Sequence, residues 1–500
     1  MTRTPPSRCS CSRGPASWAL AGVLLASTSA VAGGFHISIL GVRRTGMMTN
    51  LASPDDVTAL FHNPAGLADL GGTRLHLSSG LSFINTSLSL KELDPALYPD
   101  INPTPCGQPG EAACPWPVNA DGYYEANIKP EKYLGVIPYL GVSQDLGVVA
   151  PSLRKLVASL ALYAPGAYGA ALPKEAPTSY LVIDGLFVVA AATAGLGYRI
   201  NDMIAVGANA SFNYMRLGYA QRLSTIDALT PRGQAPDLTA GLAQAALGDL
   251  RMDYTGTDNG AGWGLGALLT PLSWLSMGFD YEGATKARFR GPVTIRGLGS
   301  KVTGSHATSS SNLAKVVQGF GYKLPTELMV EMPIPPAVGA GVTLKPSSHV
   351  EIGVDLRLWL YKLFKKQTII PVYDPQQPGV EPLTRKGLSH DKDYSNSYEV
   401  AVGALVRPLA DQDLDVMAGI GFDKSPVPNK TLSIDNPSMN QFIVSAGIRG
   451  TVFERWRIGA AYMLINYLER DVRNSETWPP TNVRISGRSH IPTLEVEYVF

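Results

Sequence analysis

Apolar side chains recur at every second position over many stretches of this chain. Ile204, Val206, Ala208, Ala210, Phe212 and Tyr214 alternate with Gly207, Asn209, Ser211 and Asn213, a period that gives an extended strand one apolar and one polar face. The pattern returns at Leu275, Met277, Phe279 and Tyr281, and at Leu414, Val416, Ala418, Ile420 and Phe422. It returns again at Phe442, Val444, Ala446 and Ile448. It is strongest where Val350, Ile352, Val354, Leu356, Leu358 and Leu360 are set against Glu351, Asp355 and Arg357. The alternation predicts fourteen strands, over 73–90, 132–144, 156–165, 186–200, 203–223, 250–270, 273–283, 336–345, 349–362, 396–408, 413–423, 440–453, 455–472 and 489–500. A further alternating run, Phe289 to Ile295, is assigned to a long loop, because counting it makes the strand number odd and separates the chain ends.

Several of these runs reach about ten residues, the length a tilted strand needs to cross a bilayer. No apolar run is long enough for a spanning helix; the nearest, Leu186 to Tyr198, is broken by Thr193 and two glycines. The connections alternate in length. Tight turns fall at Asn201-Asp202, at Pro271-Leu272, around Pro346-Ser347, around Leu409-Ala410 and at Glu454-Arg455. Between them lie long links over 91–131, 165–185, 224–249, 283–334, 363–394, 424–439 and 473–488. Short turns on one side and long loops on the other are the mark of a transmembrane antiparallel β-barrel, whose closure leaves no strand edge unpaired in lipid. The expected fold class is therefore all-β, with a barrel over 72–500.

The chain ends support export. Arg3, Arg8 and Arg13 precede an apolar stretch from Ala16 to Ala26 and then Ala30-Val31-Ala32, which predicts a cleaved secretory signal over 1–32. Cys9 and Cys11 leave with it. At the other end, Leu494, Val496, Tyr498 and Phe500 close a strand on an aromatic residue, as bacterial outer-membrane barrels commonly do, so the barrel-assembly machinery is an expected partner and the outer membrane the expected location.

Composition removes other classes. The net charge of +1 comes without a basic patch, which argues against nucleic acid. The chain holds no G-x-S-x-G, H-E-x-x-H, Walker-type loop or C-x-x-C, so no catalytic residue, metal or cofactor is expected. Cys106 and Cys114 flank a Pro- and Gly-containing stretch and are expected to form a loop disulfide in an oxidising compartment.

Residues 33–71 lack the strand pattern. Their Gly33-Gly34-Phe35, Pro54-Asp55-Asp56 and Phe61-His62-Asn63-Pro64-Ala65-Gly66-Leu67 resemble the amino-terminal hatch of the outer-membrane long-chain fatty acid and aromatic hydrocarbon transporters, the FadL/TodX type. Tyr163 to Gly169, Tyr198 to Asp202 and Phe422 to Pro428 match further motifs in order, so the resemblance covers nearly the whole mature chain. His62, the Cys106 to Cys114 loop and the 283–334 insertion depart from it.

The resemblance implies a hatch inside the lumen and passive uptake of a hydrophobic small molecule, a fatty acid, hydrocarbon or lipid. The ligand exits sideways into outer-membrane lipid where the third strand kinks. The implied hatch and ligand residues are Phe35, Phe61, Asn63, Pro64 and Ala65, and the implied lateral opening is at Pro165 and Gly166. Plainer readings stand beside these: Pro165 and Gly166 start a loop, Asn63 and Pro64 stop a helix, and Phe35 and Phe61 only pack the plug. A general porin, a surface adhesin and an outer-membrane lipid hydrolase are the alternatives, although inward Met215, Met417, Ile443 and Ile465 suggest a lumen less polar than a porin's.

Overall fold

The structure, a computed structural model, describes residues 36–102, 114–125, 128–131, 134–230, 235–299, 306–319, 321–381, 388–409 and 413–500. In chain order the strands are β1 (Thr73–Leu90), β2 (Leu134–Asp145), β3 (Leu156–Ala171), β4 (Asp184–Asn201), β5 (Ile204–Leu223) and β6 (Asp249–Leu272). Then come β7 (Leu275–Glu282), β8 (Thr285–Gly299), β9 (Glu327–Ile334), β10 (Ala337–Ser347), β11 (Val350–Trp359) and β12 (Lys366–Val372). The last six are β13 (Leu388–Asp391), β14 (Ser397–Val406), β15 (Leu414–Asp423), β16 (Gln441–Val452), β17 (Trp456–Asp471) and β18 (Val483–Val499).

Fourteen of these strands form one antiparallel ring, in which β7 pairs β10, β11 pairs β14, and β18 closes on β1 through partners such as Leu75 and Tyr498. The barrel is closed. β8, β9, β12 and β13 lie outside the ring: β8 pairs the far end of β6, and the β8–β9 hairpin continues into β12 and β13.

The two faces carry the predicted chemistry. Leu77, Leu160, Leu196, Val354, Leu356 and Ile420 are exposed on the outside, while Glu351, Asp355, Arg357, Glu399, Asp415, Arg449 and Glu495 are buried inside. Exposed Tyr198, Trp274, Trp456 and Phe500 cluster at the short-turn end, and exposed Phe83, Phe212, Trp263, Phe442 and Tyr462 lie further along their strands. This is the arrangement of two aromatic girdles around an apolar band.

Some boundaries move. β3 does not stop at 165 but runs on to Ala171, so Pro165 and Gly166 lie inside a strand and do not start a loop. β18 begins at Val483, earlier than expected. The Phe289 to Ile295 run is a strand, within β8, yet one outside the ring.

Candidate functional site

Residues 36–70 lie against the inner face of the ring. Their elements are too short to persist alone: a helix over Val42–Met47, another over Ala59–His62, and a 3-10 turn over Pro64–Asp69. The wall holds them. The segment passes so close that a Cβ at Gly403 would collide with the Met47 carbonyl, and one at Gly278 with the Leu51 carbonyl, which is why hydrogen occupies both positions. Side chains add direct bonds: Tyr139 hydroxyl donates to the Val57 carbonyl at 2.7 Å, Asn209 Nδ2 to the Leu60 carbonyl at 2.7 Å and Ser445 hydroxyl to the Gly46 carbonyl at 2.9 Å.

Asn63 does more than stop a helix. Its Oδ1 accepts the Ala65 N–H at 3.2 Å, and its Nδ2 donates to the carbonyls of Leu51 at 2.7 Å and Ala267 at 3.2 Å, so it ties two parts of the segment to β6. Pro64 packs its backbone against Gly207. Ala65 is fully buried beside Ala205 and Leu268. Phe61 is half-buried and meets Tyr163 edge-on at 5.3 Å. Phe35 lies outside the described residues, as do residues 1–32 and Cys106. Cys114 is disulfide-bonded.

A buried charge network joins the segment to the wall. Arg449 reaches Asp55 at 2.6 Å, Asp415 at 3.0 Å and Asp56 at 3.3 Å. Arg43 pairs with Glu351 and with Asp55, Arg44 with Glu399, and the Val42 N–H donates to Glu495 at 2.6 Å. Burial pushes the Asp55 carboxyl up, but Arg449, Arg43 and Arg457 outweigh it and hold the carboxyl well below the usual carboxylate range. Asp355 accepts the N–H groups of Asn50 at 2.8 Å and Leu51 at 3.1 Å. His62 donates from Nε2 to the Leu40 carbonyl at 2.9 Å, and burial together with the Arg357 charge pushes its pKa down to about 3, so the ring is neutral. None of these partners emerges from motif spacing. The signal for them was the charge on the inward face of β11, at Glu351, Asp355 and Arg357, which needs a partner when buried.

Two spaces flank the segment. One, with about 70 Å³ of enclosed space, is lined by Phe61, Pro64, Tyr163, Pro165, Gly166, Phe187 and Val189 together with residues of β5 to β7. Phe61, Pro64, Pro165 and Gly166 thus meet at one cavity. The other, of about 710 Å³, is the short-turn mouth, where Arg74, Arg199, Lys345, Arg455 and Arg457 face Asp55, Asp69, Asp202, Asp413, Glu454 and Glu497.

The wall is interrupted beside the first cavity. The β3–β4 register shifts between Tyr163 and Gly166, a bulge at Ala164-Pro165 where proline has no ladder donor. The β2–β3 ladder runs from Asp145 opposite Val157 to Tyr139 opposite Tyr163 and does not continue through Gly135–Pro138 among the described residues. The strands meet again where the Glu131 N–H donates to the Ala171 carbonyl at 2.9 Å. From inside, the Ile37 N–H donates to the Pro165 carbonyl at 2.8 Å, and His36 bridges Gly166.

The model of a family described as outer membrane protein transport protein (OMPP1/FadL/TodX) matches residues 23–500. The fold resembles that of a Pseudomonas aeruginosa FadL homologue, with TM-score 0.71 at 15% identity over 93% of this chain and 100% of that one. The Pseudomonas putida toluene transporter TodX gives 0.62 at 16% identity over 93% and 99%. A monoaromatic hydrocarbon channel, CymD, gives 0.60 at 13% identity over 93% and 99%. Comparison with curated protein sequences finds no match.

Proposed function

Since the chain belongs to the OMPP1/FadL/TodX family of outer membrane transport proteins, we propose that it takes up long-chain or aromatic hydrophobic molecules by passive diffusion and releases them sideways through its wall, with residues 36–70 as the plug. The family is one of transporters of hydrophobic compounds in the outer membrane, not of enzymes.

The observation that carries the route is the contrast between the two exits. Below the plug lies a mouth lined by eleven charged residues, and an apolar solute crossing it loses about 25 cal/mol for every Å² of apolar surface returned to water. Beside the plug, the cavity at Phe61 and Tyr163 reaches the β3 bulge, where the ladder to β2 is broken. A solute leaving there passes from apolar side chains to lipid. No energy source is needed, because each step exchanges one apolar surrounding for another. In this reading Phe61 and Tyr163 touch the ligand, Pro165 and Gly166 keep the wall open, and Phe500 marks the strand read by the barrel-assembly machinery. TodX and CymD are named for toluene and monoaromatic hydrocarbons, so aromatic solutes are the first to test.

Deleting Pro165 removes the residue by which the β3–β4 register shifts. In proteoliposomes the deletion variant is expected to remain a heat-modifiable barrel while losing saturable uptake of radiolabelled toluene or a labelled fatty acid. Full uptake by the deletion variant refutes the lateral route.

A further inference from the structure

The cavity beside the plug has a second boundary, on the side away from β3. There the wall ladder is interrupted again. β6 pairs β7 up to Gly264 opposite Glu282, and its pairing with β8 resumes at Thr257 opposite Arg290. Between these points β6 has no ladder partner on that side among the described residues. Three contacts span the seam: the Gly283 N–H donates to the Trp263 carbonyl at 2.9 Å, the Thr285 hydroxyl to the Ala261 carbonyl at 3.1 Å, and the Arg288 N–H to Asp258 Oδ2 at 2.6 Å. Two of the three use side chains. The cause is the step at Gly283-Ala284, where the chain leaves the ring to enter the β8–β9 hairpin.

The cavity reaches this seam. Its lining includes inward Ser211 and Asn213 of β5 and also Trp263 and Leu265, which are 47% and 50% exposed on the outer face. Inward glycines of β6 leave the space: a Cβ at Gly262 would lie 2.5 Å from Ser211 Oγ and 2.9 Å from Asn213 Nδ2. Trp263 packs on Tyr281 at 5.2 Å over the outer side, at the level of the girdle near the long loops.

The lining also selects. Asp280 and Glu282 line this end, and among the described residues the cavity lining contains no lysine or arginine. The nearby Arg357 is engaged by Asp280 at 3.5 Å and by the His62 carbonyl at 3.3 Å. A carboxylate head here meets two acids and, among the described residues, no lysine or arginine of the lining to offset their charge. A hydroxyl or amide meets Ser211 and the buried Asn213 Oδ1, which has no hydrogen-bond partner among the described residues and therefore gains from one.

We propose that the β6–β7–β8 seam is a second passage through the wall, distinct from the β3 bulge, and that it admits amphiphiles with an uncharged hydrogen-bonding head, held by Ser211 and Asn213 while the tail lies under Trp263. The proposal rests on the transport reading above. It differs in where the wall opens and in which head group is accepted.

A Cβ at Gly260 would lie 3.1 Å from Thr285 Cγ2, so the double variant G260C/T285C is placed to lock the seam with a disulfide. The test measures uptake of a radiolabelled long-chain alcohol into proteoliposomes, oxidised and then reduced, with wild type under the same reductant as the control for the native disulfide. Oxidation is expected to remove most of the saturable uptake and reduction to restore it, and excess of the matching carboxylate is expected to compete poorly. Wild type that takes up neither alcohol nor hydrocarbon sinks the transport reading itself. Wild type that transports while the oxidised variant transports equally well overturns the second passage alone, and equal competition by the carboxylate overturns the head-group assignment. If the cysteine pair fails to assemble or to cross-link, S211W, which fills the cavity behind the seam, is read against toluene uptake by way of the β3 bulge: loss of alcohol uptake with toluene uptake kept supports the passage, and loss of both alike or of neither refutes it.

Discussion

Arg449 gathers several of the carboxylates inside the wall. It is fully buried and bonds Asp55, Asp56 and Asp415 at once. Removing one partner from such a cluster leaves uncompensated buried charge, at a cost of about 3–5 kcal/mol. Arg449→Met is therefore expected to lower the temperature at which the folded band is lost on gels, by more than Arg74→Met, whose pair with Glu497 is partly exposed. Equal shifts in the two variants count against the network as the anchor of the segment. Cys114 gives a second residue-scale expectation. It is disulfide-bonded, and we expect Cys106 as its partner, so thiol labelling without reductant finds no free cysteine in the mature protein, whereas labelling at both positions excludes the pair. At this scale the sequence was partly legible. Asn63 and Pro64 stood out as a turn, but the partners of Asn63 on Leu51 and β6 come only from folding, because no local spacing links residue 63 to residue 267.

Strands were legible wherever one face meets lipid. In β11 the alternation puts Leu356 outside, 47% exposed, and Asp355 inside, 3% exposed, as expected from the period of two. A mid-strand arginine on the lipid face costs about 2–4 kcal/mol. Leu356→Arg is thus expected to reduce the assembled fraction in membranes, while Asp355→Asn assembles normally and loosens the turn at Asn50 and Leu51. Equal loss of assembly in both variants places β11 in the other register. The pattern fails where strands leave the membrane. Over Val483–Arg488 the inward Val483 and Ile485 are buried and apolar while Arg484 and Arg488 point outward, the reverse of the code within the bilayer, so the beginning of β18 was not recognised. β3 past Pro165 was missed for another reason: a proline inside a strand reads as its end, and only a bulge lets the strand continue. Of the strands outside the ring, β12 and β13 are short and belong to a long link with no lipid face to mark them.

For the molecule as a whole, the inward charges and the amino-terminal segment explain each other. A barrel with Glu351, Glu399, Asp415, Arg449 and Glu495 buried on its inner face is costly unless those groups find partners, and residues 36–70 supply Arg43, Arg44, Asp55, Asp56 and the Val42 N–H to them. The sequence showed that this segment lacks the alternation of a spanning strand and that one inward face is charged. It did not show that the two meet, because the pairings join residues 308 to 453 positions apart. We therefore expect that deleting residues 36–70 leaves a closed ring, since the wall ladders are formed between strands and the segment adds to them the bridge of His36 to Gly166 and the Ile37 bond to Pro165. The exposed inner charges then hydrate, as in a water-filled barrel, instead of remaining buried. In planar bilayers the deletion variant should show larger and less selective conductance than the full chain, and in proteoliposomes it should lose saturable uptake of a labelled hydrophobe because Phe61 and the floor of the cavity are gone. Unchanged conductance would falsify the plug assignment, since a ring of this size stripped of its contents has no other described segment placed to close its short-turn half.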